Sequence, residues 1–242
     1  MKMNKLYTHL FFDLDNTLWD FDTNAREAMY LTFMMKNINK KNVDFNTFFE
    51  VYSRHNHTLW LDYRNQLIAK KELIIERFRR TFEELNITGI DPEETNTIYL
   101  DFMPGQNQLK DGVLETLCDL KRKNYSMFII TNGFKEVQHK KLENSGLRPF
   151  FQKVFISEEI KIAKPGYGIF EYAVKSANAP KTKSLMIGDD WETDIVGAAS
   201  FGIDSVYIHP ENIFKQNQMP GNTKRKNTTY FSGSIKELTL IL

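Results

Sequence analysis

The sequence predicts an α/β protein: a doubly wound parallel sheet with an all-helical segment inserted after the first strand. Three observations carry this prediction. Short apolar runs end on polar turn residues, helical patterns alternate with those runs over residues 106–210, and residues 22–103 show helical periodicity with no strand signal. Apolar runs bounded by turns are typical of strands buried on both faces, and alternation with helices is typical of parallel sheets.

The predicted strands share an apolar run that stops at a turn. They are Leu6–Phe12, Ser126–Ile130, Lys153–Ile156, Ser184–Ile187, Ser205–Ile208 and a short final strand near Tyr230-Phe231. In open α/β sheets, ligands bind beyond the carboxyl ends of the strands. The polar residues that follow these runs are therefore the candidates for a functional site.

Helical periodicity marks two groups of predicted helices. Those of the insertion are Ala25–Ile38, Asn46–Ile68, Lys71–Leu85 and Pro92–Phe102, and those of the sheet region are Asp111–Lys123, Lys135–Ser145, Tyr167–Ala177 and Thr193–Phe201. Asp91 before Pro92 is a typical N-cap followed by proline at the first helical position. With hinges predicted near 19–23 and 103–106, residues 1–19 and 104–242 form the core and residues 20–103 a helical cap. Residues 209–229, which include the basic run 224–226, are predicted to be a solvated loop.

Composition excludes several classes of protein. The 242 residues are 41% hydrophobic and 26% charged, as in ordinary globular domains, and 32 Lys and Arg oppose 31 Asp and Glu. A net charge of +1 argues against a protein that coats nucleic acid polymers or anionic membranes. A single cysteine, Cys118, excludes a disulfide framework and a cysteine-rich zinc site. No signal peptide or membrane span is recognisable, so we expect a cytoplasmic monomer or homodimer.

A pair of carboxylates follows the first predicted strand directly. Asp13 and Asp15 are one residue apart, and residues i and i+2 of an extended chain point to the same side. Adjacent carboxylates repel unless a cation or a shared proton relieves them, and Mg²⁺ prefers a few carboxylates together with water and phosphate oxygens. A carboxylate held this way can attack phosphorus while its neighbour transfers the proton. Taken alone, such a pair is more often a helix N-cap or a turn.

Further polar groups stand at the ends of other predicted strands. Thr131 and Asn132 offer a hydroxyl and backbone amides before a helix, a place that suits phosphate. Lys164 lies in a loop and could neutralise a phosphate or a nucleophile. Asp189 at a strand end could bind a cation, and Asp194, about one turn into the next helix, could orient Lys164. Thr131-Asn132 and Lys164 are weak signals alone and the pattern from Gly188 to Asp194 is more specific, and all of them occur in order along one predicted sheet.

This conjunction resembles the haloacid dehalogenase-like hydrolase superfamily. The segments FFDLDNTLWD, ITNG, AKPGYGIFEYA and MIGDDWETDIVGAASFGI are similar to its four motifs, and the helical insertion lies where the family's type-1 cap lies. The resemblance implies a Rossmann-like hydrolase core and an aspartyl-phosphate mechanism that depends on Mg²⁺. The family's carbon–halogen hydrolases, in contrast, lack the second acid of the pair, which this chain has.

The resemblance also implies a role for each matching residue. Asp13 is implied as nucleophile and Mg²⁺ ligand, and Asp15 as general acid/base whose backbone carbonyl also contacts the metal. Thr131, with Asn132 beside it, and Lys164 are implied to bind the phosphoryl group. Asp189 is implied as the third metal contact from the protein, with Asp194 behind it.

Within the superfamily, the sequence around TNGF, LENSGLRPFF and GDDWETDI resembles that of the pyrimidine 5′-nucleotidases, a subgroup thought to clear non-canonical nucleotides. The resemblance thus implies a small phosphomonoester substrate, a pyrimidine nucleoside monophosphate. Trp60, Tyr63 and Arg64 are neighbours on one helical face of the cap and are the candidate specificity residues, unless Trp60 packs in the cap core. Two alternatives stay open: a sugar-phosphate or phosphoglycolate phosphatase, and a phosphorylated receiver-type signalling module.

Overall fold

A computed structural model describes residues 6–209 and 227–242 of the chain. Six strands in these ranges form one parallel sheet. They are β1 (His9–Phe12), β2 (Ser126–Thr131), β3 (Lys153–Ile156), β4 (Ser184–Gly188), β5 (Asp204–Ile208) and β6 (Thr229–Ser232). Their spatial order is β3-β2-β1-β4-β5-β6, so the first strand is central and the chain winds outward on both sides. The predicted doubly wound α/β fold with its helical insertion is confirmed.

Ten α-helices lie in the described ranges. The insertion carries α1 (Phe21–Met35), α2 (Phe45–Arg64), α3 (Lys70–Glu84) and α4 (Pro92–Phe102). The rest are α5 (Val113–Arg122), α6 (Lys135–Asn144), α7 (Ser157–Ile160), α8 (Tyr167–Ser176), α9 (Gly197–Phe201) and α10 (Leu238–Ile241). As predicted, Asp91 caps α4, its side chain accepting a hydrogen bond from the backbone N–H of Glu93. No helix of the described residues is long and apolar enough to cross a membrane.

The sheet is held by a fully apolar central layer. Phe11 of β1 lies opposite Phe128 of β2 and Met186 of β4, and all three are buried. The rings of Phe11 and Phe128 stack with centroids 5.1 Å apart. Phe170 and Ala173 of α8 pack against this layer. Burial of these apolar side chains fixes the central strands, and the central strands in turn position the polar residues at their carboxyl ends.

Contacts divide the chain into two compact units. One consists of the described residues up to Phe21 and from Gln108 onward, and the other of residues 22–107. Within the first unit, the backbone N–H of Asp20 donates to the carbonyl of Gln108 at 3.0 Å, and that of Lys110 donates to Leu18 at 2.9 Å. The outgoing and returning chain segments are thus joined beside the sheet.

Several helix boundaries differ from prediction. α1 begins at Phe21 rather than Ala25 and so starts inside the predicted hinge. The reason is a ring contact: the centroids of Phe21 and the buried Trp19 lie 6.3 Å apart, which anchors the chain there. α2 ends at Arg64 rather than Ile68, since Gln66 has a positive φ of 59° that turns the backbone out of the helix. The second predicted hinge contains a 3₁₀ turn over Met103–Gly105.

One further difference concerns the region after β4. The helix predicted from Thr193 starts instead as a π-helical turn over Trp191–Val196, which continues as α9. Asp190 caps this turn by accepting a hydrogen bond from the backbone N–H of Thr193 at 2.9 Å. The predicted loop over residues 209–229, including its basic run, lies mostly outside the described residues.

Candidate active site

A buried lysine joins two of the predicted acids. Asp13 follows β1, and its backbone N–H donates to the carbonyl of Ile187 on β4 at 2.9 Å. The ammonium of Lys164, whose side chain is 2% exposed, lies 2.5 Å from Asp13 Oδ1 and 2.6 Å from Asp194 Oδ1. The contact between Lys164 and Asp194 that the sequence suggested is therefore present. Asp194 reaches it because Gly188 has no Cβ, which would lie 2.1 Å from Asp194 Oδ2.

Burial sets the electrostatics of this cluster. Desolvation raises the pKa of Asp13 well above its ordinary value; Lys164 opposes this shift, whereas the neighbouring carboxylates add to it. Burial likewise raises the pKa of Asp194, and it raises the pKa of Asp189 to about 7. Burial acts to lower the pKa of Lys164, but Asp13 and Asp194 outweigh it and hold that pKa above its usual value. Lys164 pairs with two of these three carboxylates, which leaves an excess of negative charge that a further cation would relieve.

The same acids can accommodate a metal ion. Asp13, Asp189 and Asp194 each offer a carboxylate oxygen, and these oxygens lie within 4.8 Å of one another. Asp189 Oδ1 accepts a hydrogen bond of 2.6 Å from the Thr17 hydroxyl, which orients its carboxylate. A hard divalent cation such as Mg²⁺ takes ligands of this type, so the donor set fits it. The contact of the Asp15 backbone carbonyl with the metal stays a prediction, and the Asp15 carboxylate contacts Lys141 and Gln138.

The predicted phosphate-binding residues surround the Lys164 loop. Asn132 Nδ2 donates to the carbonyl of Lys164 at 2.9 Å, and the backbone N–H of Lys164 donates to Asn132 Oδ1 at 2.9 Å. The Asn132 side chain therefore holds the lysine loop in place. Thr131, the last residue of β2, is buried, and its hydroxyl oxygen accepts a hydrogen bond from the backbone N–H of Gly133 at 3.3 Å. Direct contacts of Thr131 and Asn132 with phosphate stay predictions.

Asp15 is held by two residues of α6 that sequence reasoning missed. Lys141 Nζ lies 2.6 Å from Asp15 Oδ1, and Gln138 Nε2 donates to Asp15 Oδ2 at 2.8 Å. Both side chains are buried although both are polar. One pattern in the sequence could have identified them: they are spaced i, i+3 beside the apolar Val137 and Leu142. A polar pair on the buried side of a helix needs hydrogen-bond partners elsewhere in the protein. Thr17 was also missed, because the residue that it contacts lies far along the chain.

The candidate specificity residues share the second half of α2. The rings of Trp60 and Tyr63 meet edge to face, with centroids 5.6 Å apart and an interplanar angle of 78°. Both side chains are half-buried, so Trp60 is not among the fully buried residues of the cap, and Arg64 is exposed. Arg54, which could have served an anionic sugar substrate, is paired with Glu84.

Comparison with known proteins identifies the family. The model of the haloacid dehalogenase-like hydrolases matches residues 7–202. The pyrimidine 5′-nucleotidase PynA of Streptococcus pneumoniae (strain ATCC BAA-255 / R6) is 34% identical over 213 residues, 88% of either chain. The pyrimidine 5′-nucleotidase YjjG of Escherichia coli (strain K12) is 34% identical over 202 residues, 83% of this chain and 85% of its own.

A solved structure agrees with these relatives. The HAD-hydrolase YfnB of Bacillus subtilis, determined with bound magnesium, superposes with a TM-score of 0.83 at 28% identity and covers 98% of this chain and 99% of its own. The chain belongs to the haloacid dehalogenase-like hydrolase family. It is therefore an enzyme, as predicted, and its relatives by sequence include named phosphatases; the receiver-type alternative is removed.

Proposed function

We propose that this enzyme hydrolyses phosphomonoesters with the help of Mg²⁺, through an aspartyl-phosphate on Asp13, and that its substrates are pyrimidine nucleoside monophosphates. The observation that carries the proposal is the group of Asp13, Asp189 and Asp194 at the strand ends, where α/β enzymes bind ligands. Asp13 and Asp194 are buried, and both pair with Lys164. The family match and the two nucleotidase relatives support it.

Two residues carry the covalent chemistry. Asp13 Oδ attacks phosphorus, and the bond from phosphorus to the leaving oxygen breaks while Asp15 gives that oxygen a proton. Water then attacks the same phosphorus, Asp15 takes a proton from it, and the bond between phosphorus and Asp13 breaks to release phosphate. Asp15 ends in its starting state, so one acid serves both steps.

Lys164 and the metal ligands prepare the nucleophile. Lys164 contacts Asp13 directly and offsets negative charge as the phosphoryl group approaches, while Asp194 fixes the position of its ammonium. Asp13, the Asp15 carbonyl and Asp189 would hold Mg²⁺. Asp194, the third carboxylate of the cluster, already pairs with Lys164 and accepts a hydrogen bond from the backbone N–H of Asp190, so we assign it to the lysine and not to the ion. When bound, the ion supplies positive charge beside the phosphoryl oxygens and restrains their orientation.

Selectivity falls to the inserted helices, because the phosphate machinery treats every monoester alike. The aromatic pair of Trp60 and Tyr63 offers a surface on which a base can stack. The decisive experiment is kcat/KM for UMP, dUMP, dTMP, AMP, phosphoglycolate and a hexose phosphate. Preference for the hexose phosphate would reject the nucleotidase assignment and leave the phosphatase assignment standing.

Removal of metal is expected to silence the enzyme. EDTA should abolish turnover and added Mg²⁺ should restore it, because the buried carboxylates need a cation beyond Lys164. Calorimetry gives a second readout, since an ion that binds only the folded state raises Tm as its concentration rises. Asp189→Asn should lose this rise, whereas Asp119→Asn, at a half-buried acid of α5 that pairs with Arg122, should keep it. Full activity after exhaustive chelation, or an unchanged Tm, would contradict the metal assignment.

Replacement of Trp60 is expected to affect nucleotides selectively. If the ring stacks on the base, Trp60→Ala should cost about 1–3 kcal/mol in transition-state binding of UMP, the usual worth of stacking on an aromatic side chain. p-Nitrophenyl phosphate should be spared. Leu61→Ala, at a 42% exposed neighbour on the same helix, is the matched control. Equal losses on every substrate would count against stacking.

A further inference from the structure

Both oxygens of the Asp15 carboxylate are bound by buried donors. Lys141 Nζ contacts Oδ1 at 2.6 Å and Gln138 Nε2 contacts Oδ2 at 2.8 Å. The two donors are three residues apart on α6 and therefore point to the same side of the helix. With one donor on each oxygen, the carboxyl plane cannot rotate without breaking a buried hydrogen bond.

Lys141 is itself held in place. Its ammonium lies 4.0 Å from the centre of the Trp19 ring and 5.2 Å from that of Phe21, and only 3% of its side chain is exposed. A cation over an aromatic face is attracted to it. Burial lowers the pKa of Lys141, and the ion pair with Asp15 opposes that shift. The lysine is thus confined between a carboxylate and two rings.

Gln138 makes a second contact that reaches the predicted phosphate site. Its Nε2 also donates to Thr131 Oγ1, at 2.7 Å, and this oxygen accepts the Gly133 N–H as well. Since two donors already point at Oγ1, the hydroxyl hydrogen of Thr131 remains to be donated to an acceptor such as a phosphate oxygen. Gly133 permits this arrangement, because a Cβ there would lie 2.3 Å from Gln138 Nε2.

We propose that Lys141 and Gln138 are positioning residues, which fix Asp15 for proton transfer and tie its orientation to that of Thr131. This inference rests on the proposed function, since it assumes that Asp15 moves the proton. The proton passes from Asp15 to the leaving oxygen in the first step and from water to Asp15 in the second, and Lys141 acts only as a hydrogen-bond donor. A misplaced Asp15 should harm most the step in which water must be activated.

The test is pre-steady-state kinetics with p-nitrophenyl phosphate, whose leaving group needs little protonation. Lys141→Met should release about one p-nitrophenol per active site in a burst, then turn over about 10²–10⁴-fold slower than wild type. Phosphate should accumulate on the protein during this slow phase. On UMP, whose leaving oxygen needs the proton, the burst itself should slow. Lys140→Met, at the exposed neighbour, is the matched control and should resemble wild type.

Two further variants separate positioning from folding. Gln138→Leu keeps a similar volume and should show the same burst with a smaller loss, and Lys141→Arg, which keeps the charge, should recover part of the rate. Identical behaviour of Lys141→Met and Lys140→Met would overturn the inference, as would equal slowing of burst and steady state on both substrates. If Lys141→Met does not fold, Gln138→Leu decides, and wild-type kinetics there would overturn it. Wild-type protein that never acquires phosphate would instead contradict the proposed function.

Discussion

Asp13→Asn is expected to abolish turnover on every phosphomonoester. An amide cannot attack phosphorus, and it does not hold a cation as a carboxylate does. The variant should still fold, because burial already favours the neutral form of this side chain and Lys164 retains Asp194 as a partner. Turnover is measured with p-nitrophenyl phosphate, and the phosphoenzyme is trapped after mixing with labelled substrate.

The nucleophile assignment is sharpened by two comparisons. Asp15→Asn should keep the metal-dependent rise in Tm and lose about 10²–10⁴-fold in rate, the usual worth of a general acid/base. Asp119→Asn, at a half-buried acid of α5 paired with Arg122, should leave activity unchanged. Near-normal turnover in Asp13→Asn, or a labelled phosphoenzyme in that variant, would refute the mechanism as a whole.

Lys164→Met is expected to reduce both stability and activity. It removes an ammonium that contacts both Asp13 and Asp194 and leaves these buried carboxylates without that partner. Breaking a buried ion pair from one side typically costs about 3–5 kcal/mol of unfolding free energy. The loss of a preorganised charge at the reacting group should lower kcat about 10²–10³-fold. Urea unfolding in EDTA measures the first effect.

The control for this variant is Lys161→Met, at an exposed lysine of the same loop region. It should unfold at the same urea concentration as wild type, because an exposed charge contributes little. Added Mg²⁺ should recover part of the stability of Lys164→Met, since the ion supplies positive charge to the same acids. If Lys164→Met unfolds like Lys161→Met, the ammonium does not hold this cluster together.

Local patterns predicted the part of the site that lies at strand ends. Asp13, Thr131 and Asp189 follow or end apolar strands, and parallel strands bring their carboxyl ends to one edge, so their proximity could be expected. The contact between Lys164 and Asp194 could be suggested because one turn of helix places that acid near the strand end. The central sheet followed from the same apolar runs.

The remaining contacts depend on packing that no short segment specifies. Thr17 meets Asp189, and Lys141 meets Asp15, across more than a hundred residues of chain. The π-helical turn that begins at Trp191 adds one residue per turn, a change that apolar periodicity over so short a stretch does not reveal. Helix ends were displaced for a similar reason, as at Phe21, whose ring contact with Trp19 overrides local propensity.

The junction at the base of the insertion has an evolutionary consequence. The segments that lead into and out of the insertion are joined by backbone hydrogen bonds, between Asp20 and Gln108 and between Leu18 and Lys110. Lys110 Nζ also pairs with Asp20 at 2.8 Å. The entropic free-energy cost of closing a loop grows only slowly with loop length, by about 0.6 kcal/mol for each doubling. The inserted segment can therefore lengthen, shorten or be exchanged by recombination with little change in the free energy of unfolding of the sheet. Proteins that descend from one catalytic core could acquire new substrates in this way while they keep the same catalytic residues.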